Sequence, residues 1–195
     1  MKAHTKIQKT SVLEQDKREL LGILKTEAFL KEKITLSSGK ESDFYIDARR
    51  VTLSPRGAYL CAKIILELIK DDSLDAIGGP TLGADPLSGA IALLSYEQKK
   101  PIKTFIVRKN PKPHGKQQQV EGPLLKSGSR VAVIDDVATS GKSLLDAVGV
   151  LEPMGMNVVK ALCIVDRQEG AQEALAQKKC PLVPIFRLTD ILSST

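Results

Sequence analysis

Residues 131–145 read VAVIDDVATSGKSLL, and the fold follows from the order of residue types in that stretch. Four apolar residues, Val131 to Ile134, form a buried-strand signal that ends at two adjacent carboxylates, Asp135 and Asp136. Small and hydroxyl residues follow (Thr139, Ser140, Gly141, Ser143), and then a helical pattern begins. A strand leading through such a turn into a helix N-terminus presents main-chain N–H groups that bind anions. Paired carboxylates beside it would repel a bare phosphate, so they must serve another part of the ligand. A sugar with vicinal hydroxyls and a phosphate meets both demands, and a phosphorylated ribose is the natural candidate. The plain alternative is an ordinary strand–turn–helix connection with capping Asp, Thr or Ser residues. A nucleoside-triphosphate P-loop is excluded: the Gly-Lys-Ser at 141–143 would need glycine at position 136, where Asp136 stands.

Outward from this stretch the same rhythm repeats. Strands are expected at Asp75 to Gly78, Ile102 to Val107, Arg130 to Asp135, Val158 to Val165 and Leu182 to Phe186. Helices are expected from Asp85-Pro86, from the 141–143 turn to about Glu152, and over Ala171 to Gln177. Such alternation predicts an α/β fold, a parallel sheet flanked by helices. Ligands in these sheets sit beyond the carboxyl ends of the strands, where Gly78, Arg108, Asp135 and Asp166 would gather. Ahead of the alternation, Leu13, Leu20, Leu21, Leu24 and Ala28 mark an amphipathic helix to about Phe29, preceded by a dozen polar, basic residues expected to fray. Ile34 to Asp47 reads as a hairpin around Ser38-Gly39-Lys40. Ser54-Pro55 starts a helix that runs to about Lys70 and buries Leu60, Ile64, Ile65 and Leu68.

A chain of 195 residues suits a single domain with a real core. With 29 Lys and Arg against 23 acids, the net charge of +6 favours anionic ligands without separating nucleic acid from small phosphates. Aromatics at 4% weaken any case for base-stacking recognition of single strands. Cys61, Cys163 and Cys180 are too scattered for a disulfide framework or zinc knuckle. The N-terminus lacks a signal-peptide apolar core, and no run reaches the ~18 apolar residues that cross a bilayer. The expectation is a cytoplasmic protein with neither membrane nor nucleic acid as partner.

Two further segments carry chemistry. Arg108 to Lys116 reads RKNPKPHGK, dense in positive charge and without an acid, and its prolines and glycine exclude a helix. A polar loop of this length is a lid or binding loop suited to a pyrophosphate; a solvated basic loop or nucleic-acid patch is the alternative. Arg167 follows a buried strand and Asp166, and its planar fork can grip a carboxylate. A strand-end ion pair with Asp166 or Glu169 is the competing account.

The segment IDDVATSGKS resembles the phosphoribosyl-diphosphate loop of type I phosphoribosyltransferases. ITLSSGKESDFYIDAR (34–49), GGPTLGADP (78–86), VRKNPKPHGKQQQVEG (107–122) and VDRQEG (165–170) stand in that family's order, and together resemble its orotate-specific branch, orotate phosphoribosyltransferase. The resemblance implies one domain over residues 1–195, a helix and hairpin hood over about 1–50 and an α/β core over about 51–195. It implies transfer of the phosphoribosyl group from 5-phosphoribosyl 1-diphosphate to orotate, giving orotidine 5'-phosphate and diphosphate in pyrimidine (UMP) biosynthesis. Another nucleobase such as a purine, or a non-catalytic nucleic-acid regulator of the same fold, are the competing functions.

By position in the family motifs, Asp135 and Asp136 would hold the ribose hydroxyls and face the cationic sugar. Val137, Ala138, Thr139, Ser140, Gly141, Lys142 and Ser143 would hold the 5-phosphate. Arg108, Lys109, Lys112 and His114 would touch the diphosphate from a lid shared between the subunits of a homodimer, with Lys112 and His114 catalytic. Arg167 and Thr139 would contact orotate under a hood carrying Phe44 and Tyr45. Mg²⁺ is the implied cofactor, its oxygens supplied largely by substrate, so no side chain is assigned as its direct ligand. Two departures stand out. Ser37 and Gly83 occupy positions where many relatives carry lysine, with Lys40 or the amides of residues 78–84 as candidate replacements.

Overall fold

The stretches after Leu74 expected as strands form strands in the computed structural model, which describes residues 2–30, 34–35, 41–42, 44–111 and 119–193. Helix α1 (Lys2–Ile23) ends in a wide π-type turn, Leu24–Ala28, followed by β1 (Phe29–Leu30), β2 (Ile34–Thr35), β3 (Glu41–Ser42) and β4 (Tyr45–Ile46). Helices α2 (Arg49–Thr52) and α3 (Pro55–Leu68) lead into β5 (Ala76–Pro80), α4 (Ala84–Glu97), β6 (Lys103–Val107) and β7 (Val120–Glu121). The chain closes with β8 (Arg130–Ala138), α5 (Lys142–Leu151), β9 (Asn157–Asp166), α6 (Ala171–Gln177), β10 (Leu182–Arg187) and α7 (Leu188–Leu192).

The main sheet has the order β10-β9-β8-β5-β6-β7, all parallel except the short β7. Successive residues on β8 feed opposite faces, as the pleat requires. Ala132 and Ile134 join Leu20, Leu60, Ile64, Ile65, Leu87 and Ile91 beneath α1, α3 and α4. Val131 and Val133 join Leu144, Val148, Leu151 and Leu175 beneath α5 and α6. The expected α/β architecture with helices on both faces is therefore what forms. Cys61, Cys163 and Cys180 are buried and unpaired.

Local signals act as expected at several points. Ser54 Oγ accepts from Gly57 N at 3.1 Å, capping α3 with Pro55 in its first turn. β2 and β3 pair antiparallel, and β4 pairs back onto β1, so the hood is a pair of two-stranded ribbons. The hairpin turn itself, with Lys40, lies outside the described residues.

Three expectations are corrected. The first helix starts at Lys2, ahead of the start at Leu13 read from its apolar positions. β7, α2 and α7 were unforeseen; none is long enough to show a period. The most consequential correction is β8, which does not stop at the acids but continues through them to Ala138. Its neighbour β9 is long enough to keep the ladder going, pairing Asp135 with Cys163, Val137 with Val165 and Ala138 with Asp166. Both carboxylates are thus strand residues. Among the described residues, no helix is long and apolar enough to cross a membrane.

Candidate active site

The carboxyl edge of the sheet collects the chemistry because all five long strands end there in the same direction. The ladder between β5 and β8 ends at Gly78 with Val133, and the chain after β5 then crosses the acid pair. A Cβ on Gly83 would collide with Asp135 Oδ1 and stand 2.7 Å from Asp136 Oδ1, so only glycine allows this approach. The same turn holds a cis peptide between Thr81 and Leu82, and Thr81 Oγ1 donates to Asp85 Oδ2 at 2.7 Å.

Asp135 is 7% exposed, and Asp136 N donates to its Oδ1 at 2.9 Å; Val137 N donates to Asp136 Oδ1 at 2.7 Å. Burial pushes the Asp135 carboxyl well above the usual carboxylate range, and the neighbouring Asp136 charge adds to it. Asp136 is also raised by burial, but the Val137 N–H and the charge of Arg49 hold it back. Two desolvated acids in contact are a strained electrostatic arrangement, which hydroxyl donors or a cation would relieve.

Downstream, Thr139 is half-buried while Ser140 and Ser143 are exposed. Gly141 takes a left-handed φ of +78° at the mouth of α5, a conformation suited to glycine. The expected phosphate cradle narrows here. Val137 N already serves Asp136, and Val137 and Ala138 lie within the β8–β9 ladder, so the turn from Thr139 to Ser143 is what remains. The Lys142 side chain points along the exposed helix face to Asp146, 2.9 Å away, leaving only its main chain for the cradle.

Arg167 begins the turn after β9; its N–H donates to Ala138 O at 2.9 Å, and the side chain is 4% exposed. Its guanidinium carbon lies 5.1 Å over the Phe44 ring, which stacks on Phe29 at 5.5 Å. Arg167 Nε stands 2.8 Å from Glu169 Oε1, so the ion pair considered as an alternative is formed. Phe44 therefore presents its face to Arg167, which links the hood to the edge. Tyr45 lies beside it on β4, its hydroxyl accepting from Arg49 Nη2 at 3.4 Å.

The basic loop rises from the far side of this edge. Arg108 N donates to Gln119 O at 2.8 Å and Gln119 Nε2 to Arg108 O at 3.0 Å, pinching the two ends of the loop together. Arg108 also pairs with Glu121 at 3.5 Å, and Lys109 is exposed. Lys112 and His114 lie outside the described residues.

Three contributors escaped the sequence reading. Phe29 looked like the apolar end of a helix. Gly83 looked like a missing lysine and is instead the close approach to the acids. Arg49 is bound to Asp47 at 3.2 Å and acts electrostatically on Asp136, bringing to the site a cation that the 34–49 motif contains but that was assigned no role. Among the described residues no cluster of three or more His, Cys, Asp or Glu side chains is built to hold a metal. A cavity of about 1080 Å³ opens instead between α1, α3 and the α4–β6 turn, lined by Leu13, Asp16, Lys63, Leu66 and Ile102. Asp16 and Lys63 there neutralise each other at 2.7 Å.

Comparison with known proteins shows the family of the chain. The family model for the phosphoribosyl transferase domain matches residues 49–184, more than half of the chain. Orotate phosphoribosyltransferase of Aquifex aeolicus is 46% identical over 157 residues, covering 80% of this chain and 85% of that one. The crystal structure of the Mycobacterium tuberculosis orotate phosphoribosyltransferase with Fe(III) dicitrate superposes with a TM-score of 0.80 at 37% identity, covering 91% of this chain and 99% of that one. The same enzyme in complex with 5-phospho-α-D-ribosyl 1-diphosphate gives 0.76 at 34% identity, covering 90% and 98%.

Proposed function

The chain belongs to the phosphoribosyltransferase family, and we propose that it transfers the phosphoribosyl group from 5-phosphoribosyl 1-diphosphate to orotate. The products are orotidine 5'-phosphate and diphosphate, a step of pyrimidine (UMP) biosynthesis. The observation that carries the choice of base is the buried Arg167, one strand over from the acid pair. At ~3.3 Å per strand residue, Asp135 lies roughly 10 Å along β8 from Ala138, whose carbonyl holds the Arg167 N–H. That span suits a ribose at one end and a carboxylate-bearing base at the other. Purines and uracil offer no carboxylate to such a cation.

In the reaction a ring nitrogen of orotate displaces diphosphate at the anomeric carbon; one C–N bond forms as one C–O bond breaks. Positive charge builds on the sugar and negative charge on the leaving oxygens, so catalysis rests on charges already in place. Asp135 and Asp136 accept from the ribose hydroxyls and face the cationic sugar. The Thr139 to Ser143 turn holds the 5-phosphate at the start of α5. Arg108, Lys109 and Lys112, with His114, serve the diphosphate, and Arg49 is a further cation near the acids. The hard oxygen donors of the acid pair suit Mg²⁺, which with diphosphate and sugar oxygens would neutralise part of the leaving group's charge.

Steady-state assays across bases test the choice directly. Orotate should be consumed with Mg²⁺ and phosphoribosyl diphosphate, while adenine, hypoxanthine and uracil should not; robust purine turnover without orotate turnover would reverse it. Gly83→Ala probes the acid pair from the other side. The added methyl must displace the Asp135 carboxylate, so kcat/KM for phosphoribosyl diphosphate should fall about 10- to 100-fold. Unchanged kinetics would mean that the acids need not hold this position.

The working unit is a homodimer acting in the cytoplasm, with each lid closing over its neighbour's site. Leu93 and Tyr96 support it: they stand 64% and 75% exposed on one face of α4. The buried free cysteines suit a reducing compartment. Subunit mixing tests the sharing. Lys112→Ala and Asp135→Asn should each be nearly inactive alone, and mixed after dissociation should recover about a quarter of wild-type sites, as random pairing around a two-fold axis requires. No recovery from demonstrably mixed dimers would place the lid over its own subunit's site.

A further inference from the structure

We infer that Glu169 is a specificity-determining positioning residue, holding the Arg167 guanidinium at the angle at which it meets the carboxylate of the incoming base. The inference rests on the orotate reading and deepens it. Contacts of two different kinds, both with described residues, act on the guanidinium. The Phe44 ring lies 5.1 Å from its carbon and restricts the tilt of its plane, with Phe29 behind it at 5.5 Å. Glu169 Oε1 stands 2.8 Å from Nε and restrains rotation within that plane. Glu169 is about three-quarters buried there, so its charge is only partly screened.

Glu169 is itself braced. Asp166 Oδ1 accepts from Gln168 N at 2.8 Å, Gln168 takes a φ of +59°, and its Oε1 accepts from Thr189 N at 3.2 Å. Gly170 follows at φ +104°. The turn from Asp166 to Gly170 is thereby tied at both ends, and the carboxylate is delivered from a fixed backbone rather than a free loop. Such support is what keeps a binding group within a fraction of an ångström of its productive position.

The contact is close in distance, yet the Nε–H does not point along it, so charge rather than a directed hydrogen bond supplies the attraction. That distinction yields a test. Glu169→Gln keeps the shape and loses the charge, and should raise KM for orotate about tenfold, near 1.4 kcal/mol. Glu169→Ala should do the same, and Glu169→Asp, which keeps the charge on a shorter arm, should recover part of it. KM for phosphoribosyl diphosphate should stay within about twofold throughout, a split that general loosening of the turn would not give. In a double-mutant cycle, Glu169→Ala added to Arg167→Ala should change orotate kcat/KM no further, because Glu169 acts through Arg167.

Wild-type orotate KM in both Glu169→Gln and Glu169→Ala would overturn the inference, as would an equal rise in the KM of both substrates. If Arg167→Ala alone leaves orotate kinetics intact, the base assignment itself has failed. If Arg167→Ala is damaging and the Glu169 variants are silent, only the positioning role has.

Discussion

Asp135→Asn is expected to lower kcat by about 10²- to 10³-fold while raising the melting temperature, two effects that seldom come together. Asparagine keeps the Oδ1 acceptor for Asp136 N at 2.9 Å, so the local geometry survives. What it removes is a charge that is buried and faces a second carboxylate. The apoprotein gains from that removal; a gain of ~1 kcal/mol would lift the melting temperature by about 2–4 °C in a chain of this size. The reaction loses by it, because the carboxylate stabilises the positive charge that develops on the ribose. Calorimetry and an orotate-depletion assay on one preparation decide the matter. A fall in melting temperature alongside lost activity would make Asp135 a structural brace instead.

The same reasoning fixes the sign of the pH dependence. Both acids hold their protons more tightly in the folded chain than unfolded, so their contribution to stability is complete below the ordinary aspartate value of about 3.9. It is lost as the pH climbs through the raised folded values. Asp135→Asn should flatten that part of the stability profile. Asp136→Asn should flatten it less, since the Val137 N–H and Arg49 already favour the charged form of Asp136.

Sequence carried the architecture because burial writes a period into each element. Val131 to Ile134 had to be a strand, Ala171 to Gln177 had to be a short helix, and Ser54-Pro55 had to start one; all three are present. It also brought the acids, the Thr139 to Ser143 turn and Arg167 to one edge. Relations between distant residues were not legible. Nothing local says that β8 would pass through its own acids, because the cause is the length of β9. Gly83 was read by what it lacks, whereas its contact is with residues more than 50 positions away. The Phe29–Phe44–Arg167 stack joins three separate segments, and each phenylalanine alone looks like core.

Arg167→Ala should have the largest effect on base recognition. Loss of a desolvated charged pair is worth roughly 2–5 kcal/mol, so orotate KM should rise between about 30- and 4000-fold. The upper part of that range is favoured by burial, since the cation is only 4% exposed and its field is weakly screened. KM for phosphoribosyl diphosphate should change little, because the acids and the α5 turn that hold the sugar phosphate are on other segments. The variant should also lose some stability, as Glu169 is left part-buried without this cation and the Phe44 ring loses its neighbour. Arg167→Lys separates charge from shape: it returns a cation but not the planar fork, so stability should recover further than orotate binding. Steady-state kinetics with thermal melts on both variants make the comparison. Should orotate KM stay at its wild-type value while both variants melt early, Arg167 would be a strand-end brace held by Glu169, and selection of the base would have to lie elsewhere along the edge.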